Sequence, residues 1–208
     1  MKAITLGQDV RYRGNSLERN TPGATHTNIS KGQNATPPII NALKEASSSD
    51  QMGIGFVAIF SHGVPEEVFA KGGSGSGLKV TDLNQISDTM NAGDISFADG
   101  ATIYLGGCNA GTCIGDDPET YPSLAQALAD LTGTEVIAAV NDRVGPQNES
   151  DGNLIYTTEF PRNNQFNSFK RNQEPSPIGN TVDVNNLQER TNQRIMANLG
   201  RLIMNALR

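Results

Sequence analysis

Residues 54–63 read IGFVAIFSHG, an apolar run that stops abruptly at a serine, a histidine and a glycine. The run has the length of a strand and does not alternate between apolar and polar residues. Both faces of such a strand are expected to be buried, as they are in the middle of a parallel sheet. The sequence therefore predicts a central strand at Ile54–Phe60 that ends in Ser61-His62-Gly63.

Strand and helix signals alternate on both sides of this run. A short strand is predicted at residues 1–6, and two further apolar strands at Ala101–Leu105 and Glu135–Val140. Helical spacing of apolar residues follows Thr36, Asp82 and Pro122. This order predicts an α/β fold with a mostly parallel central sheet and helices on both of its faces.

Local signals mark where the predicted helices begin and end. Thr36 can cap the first helix with two prolines in its first turn, and Asp82 with Gln85 forms a loosened capping box. Gly93 and Gly133 can close the second and third helices.

The chain is expected to form a single domain with four parts. Residues 37–140 make the α/β core, and residues 1–36 precede it as an irregular segment. Residues 141–182 are rich in asparagine and are expected to form a long loop region. Residues 183–208 then form an amphipathic helix, whose apolar face is expected to pack on the sheet.

Composition excludes several classes of protein. With two cysteines and two histidines in 208 residues, the chain cannot build a disulfide framework or a zinc site with several Cys/His ligands. No apolar stretch approaches the roughly 20 residues of a membrane span, and the N-terminus lacks the apolar region of a signal peptide. We therefore expect no membrane association, and a protein that is cytoplasmic or exported as an effector.

The net charge of −6 is concentrated in the middle of the chain. Residues 53–140 carry two Lys/Arg and eleven Asp/Glu, a formal charge of −9. No basic stripe is present, which argues against nucleic-acid binding. The acidic segment either attracts cationic substrates or simply keeps the protein soluble.

The remaining chemistry centres on His62 and Cys108, each of which follows a predicted buried strand. The carboxyl ends of neighbouring parallel strands meet at one edge of a sheet, so the two side chains are expected to lie close together. An imidazole beside a thiol can accept its proton and create a nucleophile near neutral pH. The N–H groups of Gly63 and Cys108 are candidates for an oxyanion hole.

This pattern resembles the caspase-like cysteine peptidases, a superfamily that includes caspases, metacaspases, legumain, clostripain, gingipains and CHAT domains. The resemblance is carried by Ile54–Gly63 and Ala101–Gly111, and it extends over about residues 37–140. It implies a three-layer sandwich fold, a bacterial member of the superfamily, and hydrolysis of peptide bonds through an acyl-enzyme. His62 is then the catalytic base and Cys108 the nucleophile, without a metal or organic cofactor.

One departure affects substrate specificity. Many relatives place an acidic residue before the nucleophile, whereas Gly106-Gly107 stand there in this chain. Asp116, Asp117 and Glu119 follow the nucleophile in the acidic segment, and we consider them candidates to line a pocket for Arg or Lys side chains. The expected partner is a protein or peptide substrate, while the oligomeric state stays open.

Two alternatives stand beside the peptidase interpretation. The domain is catalytically silent and binds a partner through residues 141–182 or the C-terminal helix, or it is a bacterial toxin or effector, which is compatible with peptidase activity. Cys113 is expected to be reduced and structural. Self-processing would fall in residues 7–35 or 141–182, where several Arg and Lys occupy predicted loops.

Overall fold

The computed structural model of the chain describes residues 2–6, 25–30, 32–49, 51–69, 75–113, 122–141, 143–147, 155–158 and 165–207. Within these residues the helices are α1 (Thr36–Ser48), α2 (Leu83–Asn91), α3 (Leu124–Thr132) and α4 (Val184–Ala206), with a 3₁₀ turn at Val80–Asp82. The strands are β1 (Lys2–Leu6), β2 (Thr25–Ile29), β3 (Ile54–Phe60), β4 (His62–Val64), β5 (Glu67–Phe69), β6 (Leu78–Lys79), β7 (Phe97–Leu105), β8 (Glu135–Val140), β9 (Val144–Gln147), β10 (Ile155–Thr158), β11 (Gln165–Phe169), β12 (Ser176–Gly179) and β13 (Thr181–Asp183).

A mixed sheet forms the centre of the described structure. Its seven strands lie in the order β12-β11-β8-β7-β3-β1-β2. The pairs β2–β1, β1–β3, β3–β7 and β7–β8 are parallel, which confirms the parallel arrangement predicted for the core strands. The pairs β8–β11 and β11–β12 are antiparallel, and they make the sheet mixed. The protein is therefore an α/β protein built on one mixed sheet.

The central strand β3 is buried on both faces, as its unbroken apolar sequence predicts. Val57 and Ile59 belong to one hydrophobic cluster, which also contains buried residues of α1, α2 and α3. Phe56, Ala58 and Phe60 belong to a second cluster, which contains Val184 and Leu187 of α4. Because successive side chains of a strand point to opposite faces, the two clusters occupy opposite faces of the sheet.

Two of the predicted helix caps are wrong, because the side chains of the predicted capping residues form other hydrogen bonds. Thr36 is the first residue of α1, and its hydroxyl donates instead to the Asp82 carboxylate, at 3.1 Å. Asp82 makes no side-chain cap for α2, since its carboxylate also accepts the N–H of Lys79. The endings at Gly93 and Gly133 are confirmed, because both glycines adopt the positive φ of a helix terminus.

Two segments predicted to be irregular contain strands. Residues 25–29, inside the segment 1–36, form β2 at one edge of the sheet, while the strand predicted at residues 1–6 is confirmed as β1. Residues 141–182 contain β9 to β12 and the start of β13, and β11 and β12 extend the central sheet. These strands are rich in Thr, Asn and Ser, so the apolar pattern of a buried strand is missing.

The C-terminal helix packs on the sheet along only part of its length. Val184, Thr191 and Ile195 are buried, whereas Leu202 is 60% exposed and Leu207 is 77% exposed. The expectation that the whole apolar face packs on the sheet is therefore wrong from Gly200 onward, where every residue is exposed. No helix in the described part of the chain has the length and apolarity needed to cross a membrane.

Candidate active site

The segments that carry His62 and Cys108 leave the sheet at the same edge. β3 and β7 are parallel neighbours, with Ile59 opposite Leu105. The N–H of Gly106 donates to the carbonyl of Ile59 at 2.8 Å, so the pairing continues one step beyond β7. The structure thus brings together the two strand ends that the sequence predicts to be neighbours.

Beyond the strands, the two segments are in backbone contact at two glycines. A Cβ atom on Gly63 would lie 2.6 Å from the carbonyl oxygen and 3.1 Å from the nitrogen of Cys108. A Cβ atom on Gly107 would lie 3.0 Å from the carbonyl oxygen of His62 and 3.1 Å from Oγ of Ser61. A side chain at Gly63 would push the segments apart, and one at Gly107 would crowd them. The close approach that Gly63 permits in the structure is to the backbone of Cys108.

His62 is half-buried at the start of a small antiparallel hairpin. Residues of β4 pair with β5, and His62 lies directly opposite Phe69. The two ring centroids are 6.3 Å apart with the planes inclined at 32°, and the Nε2 atom of His62 is buried. The imidazole is therefore packed against an aromatic ring on the hairpin.

Cys108 is a half-buried free thiol in the turn that follows β7. The next residue, Asn109, has a φ of 56°, a left-handed conformation that asparagine tolerates better than most residues. This conformation turns the chain sharply after Cys108. Cys113 is also free and lies exposed, so it is not buried as a structural cysteine usually is.

Neighbouring elements hold the turn that carries Cys108. The carbonyl of Ala110 accepts the N–H of Ala125 at 3.1 Å, and the N–H of Gly111 donates to Ala139 at 2.9 Å. The adjacent amide of α3, that of Leu124, donates to the carbonyl of Pro65 at 2.9 Å. The first turn of α3 thus binds both the Cys108 turn and the hairpin that begins with His62.

Sequence reasoning did not single out two residues beside the site, Glu67 and Phe69. Both lie on β5, and the strand is too short to show a period of its own. The available sequence signal is Pro65, which favours a turn at residues 65–66. A hairpin folded there would place Phe69 opposite His62.

The acidic residues proposed for substrate binding, Asp116, Asp117 and Glu119, lie outside the described residues. The prediction that they form a pocket stays a prediction. Among the residues that the structure does describe, no cluster of three or more His, Cys, Asp or Glu side chains could hold a metal ion.

Comparison with known proteins adds one match. A family model described as a domain of unknown function (DUF8616) matches residues 26–155, a range that includes both His62 and Cys108. No curated protein and no solved structure matches the chain.

Proposed function

Since the chain belongs to the DUF8616 family, whose function is unknown, we propose an activity from the geometry of the site. The protein is a cysteine endopeptidase of the caspase-like type, with Cys108 as the nucleophile and His62 as the general base. The observation that carries this proposal is the backbone contact of His62-Gly63 with Gly107-Cys108. A thiol and an imidazole, each beside a glycine that permits this contact, form the pair that nucleophilic catalysis requires.

The proposed reaction proceeds in two halves. His62 accepts the proton of the Cys108 thiol while Sγ attacks the carbonyl carbon of the peptide bond. The N–H groups of Gly63 and Cys108 bind the oxyanion, and His62 then donates its proton to the departing amine. Water, deprotonated by His62, attacks the resulting thioester and releases the acid product with the free thiol.

The proposal includes the layered layout of the caspase-like fold. Residues of α1, α2 and α3 share one hydrophobic cluster with alternate residues of β3, and residues of α4 share the other. Such a division supports helices on both faces of the sheet. The parallel strands in the middle support the same layout.

The proposed substrate is a protein or peptide with basic residues at the cleavage position. The support is the formal charge of −9 over residues 53–140, because a negative field raises the local concentration of cationic ligands. Asp116, Asp117 and Glu119 are the proposed contacts for the substrate side chain.

A peptide-library cleavage profile of three proteins tests the proposal. We expect the wild type to cleave with a preference for Arg or Lys, Cys108→Ala to lose cleavage, and Cys113→Ala to retain it. Cys113 is the matched control, because it is the second free thiol and lies five residues away. Cleavage by Cys108→Ala would overturn the mechanism, and a profile without basic preference would overturn the proposed pocket.

A second candidate function is a binding module without hydrolytic activity, and the C-terminal helix supports it. The last turns of α4 carry large apolar residues that are between 52% and 60% exposed, namely Met196, Leu202, Ile203 and Met204. Exposed apolar patches often mark interaction surfaces. This candidate predicts that Cys108 reacts with thiol-directed peptide electrophiles no faster than Cys113, whereas the peptidase proposal predicts selective labelling of Cys108.

A further inference from the structure

The small hairpin places three side chains on the face that carries His62. Opposite residues of an antiparallel pair lie on the same face, and so do residues two apart along a strand. His62 lies opposite Phe69, and Val64 lies opposite Glu67. Phe69 and Glu67 therefore share a face with the imidazole.

Glu67 on this face is a buried carboxylate with backbone donors. The residue is 4% exposed, and its Oε1 accepts the N–H of Gly75 at 2.8 Å and the N–H of Gly77 at 2.7 Å. Its Oε2 accepts the N–H of Gly75 as well, at 3.0 Å. Hydrogen bonds of this kind are what allow a carboxylate to be buried, and they fix the backbone that donates them.

The glycine segment held by Glu67 presses against Phe69. A Cβ atom on Gly77 would lie 2.8 Å from the Cβ of Phe69 and 2.1 Å from the carbonyl oxygen of Val68. From the other side, the N–H of Ala35 donates to the carbonyl of Ser76 at 2.8 Å. The backbone at residues 75–77 is thus held between α1 and the hairpin, and it supports the base of the Phe69 side chain.

From these contacts we propose that Phe69 is a positioning residue for the imidazole of His62, and that Glu67 keeps Phe69 in place through Gly75 and Gly77. The inference rests on the proposed function. The ring of Phe69, 6.3 Å from the imidazole centroid, restricts rotation of the His62 side chain and so limits the orientations in which it can act on Cys108. Phe69 takes no part in proton transfer itself.

The test measures alkylation of both thiols by iodoacetamide across a range of pH, in the wild type and in four variants. Cys113 in the same molecule is the internal control. We expect His62→Ala to remove the excess reactivity of Cys108 near neutral pH. Phe69→Leu should lower the alkylation rate of Cys108 near neutral pH roughly three- to tenfold, the factor that corresponds to the interaction energy of an aromatic pair. It should also change the pH profile of that rate toward the profile of His62→Ala. Phe69→Tyr, which keeps the ring, should restore the wild-type profile.

Glu67→Gln is the fourth variant, and it keeps the size of the side chain. Its amide group would face the N–H of Gly75, so we expect a loss in the direction of Phe69→Leu, with the Cys113 rate unchanged. If His62→Ala leaves the profile of Cys108 unchanged, the proposed function fails. If His62→Ala changes that profile while Phe69→Leu and Glu67→Gln do not, the function stands and the positioning role is wrong.

Discussion

At the scale of single residues, Gly63 and Gly107 determine how close the two halves of the site can come. A Cβ on Gly63 would lie 2.6 Å from the opposite backbone, which excludes a methyl group, and a Cβ on Gly107 would be crowded at 3.0 Å. The two glycines thus act by leaving space for the backbone contact, and this role does not depend on which reaction the site performs. In the proposed function, the side chains of His62 and Cys108 act together only while this backbone contact lasts.

Gly63→Ala should therefore lower the free energy of unfolding by about 1–3 kcal/mol, the usual cost of overpacking. It should also remove the difference in reactivity between Cys108 and Cys113. The measurements are urea denaturation and alkylation of the two thiols.

Gly200→Ala is the control for this substitution. Gly200 lies inside α4 and has nothing within 4 Å of an added Cβ. Alanine there should raise the free energy of unfolding by about 0.5–1 kcal/mol and leave both thiols unchanged. Equal stability effects at the two positions would refute the steric role of Gly63.

At the scale of elements, α4 has a packed part and an exposed part. The packed part lies on β3 and β7: a Cβ on Gly55 of β3 would lie 3.0 Å from Cδ1 of Ile195, and Asn198 donates to the carbonyl of Asp99 at 3.3 Å. The helix then continues in regular form to Ala206 with all residues from Gly200 onward exposed. The packed half of the helix carries the stability, and the exposed half is available for contacts outside this chain.

Ile195→Ala should cost about 2–4 kcal/mol of unfolding free energy, because it removes buried methyl groups and leaves a cavity. Leu202→Ala, the same kind of truncation in the exposed part of the helix, should change stability by less than about 0.5 kcal/mol. Urea denaturation at one protein concentration compares the two. A large cost at Leu202 would mean that another surface covers the end of α4.

The elements that the sequence predicts correctly are those whose signals are local. The unbroken apolar runs of β3 and β8 identify buried strands, and Gly133 marks the end of α3. By contrast, β11 combines buried Phe166 with a buried Ser168, whose hydroxyl is satisfied by Glu135 at 2.6 Å. The partner that stabilises such a strand is far away in sequence and gives no local signal. From sequence alone, the polar residues of the strand therefore suggest a loop.

The candidate site divides in the same way. His62 and Cys108 can be recognised from sequence because each follows an apolar strand, and parallel pairing then makes them neighbours. Phe69 and Glu67 cannot be recognised in this way. Their position beside His62 follows from the register of a three-residue hairpin and from the hydrogen bonds of two glycines.

At the scale of the whole molecule, a polar network joins α4 to three strands of the sheet. Arg194 of α4 binds Glu135 of β8 at 2.6 Å, donates to the carbonyl of Gly100 and reaches the hydroxyl of Thr102 on β7. Ser168 of β11 donates to the same Glu135 carboxylate. Burial would raise the pKa of Glu135, but the hydrogen bonds of Ser168 and Arg194 and the charges of Arg194 and Lys170 lower it below its ordinary value.

Because the folded protein holds this carboxyl ionised, its contribution to stability is present above the ordinary pKa of 4.5 and is lost as the pH falls through the lowered pKa. Glu135→Gln should therefore be less stable than the wild type at neutral pH, and the difference should shrink on acidification below about pH 4.5. Urea denaturation from pH 7 to pH 3 measures both curves. Curves that stay parallel throughout would show that ionisation of Glu135 does not stabilise the fold.

The parallel pairing of β3 with β7 also has a kinetic consequence. His62 and Cys108 are 46 positions apart in the chain and meet only after these two strands have paired. Helices form within microseconds, whereas pairing between distant parallel strands is slow during folding. A refolding chain should therefore gain its helical signal before β3 and β7 pair and bring His62 and Cys108 together. If the reactivity of Cys108 depends on His62, a pulse of iodoacetamide at successive refolding times measures when this pairing occurs.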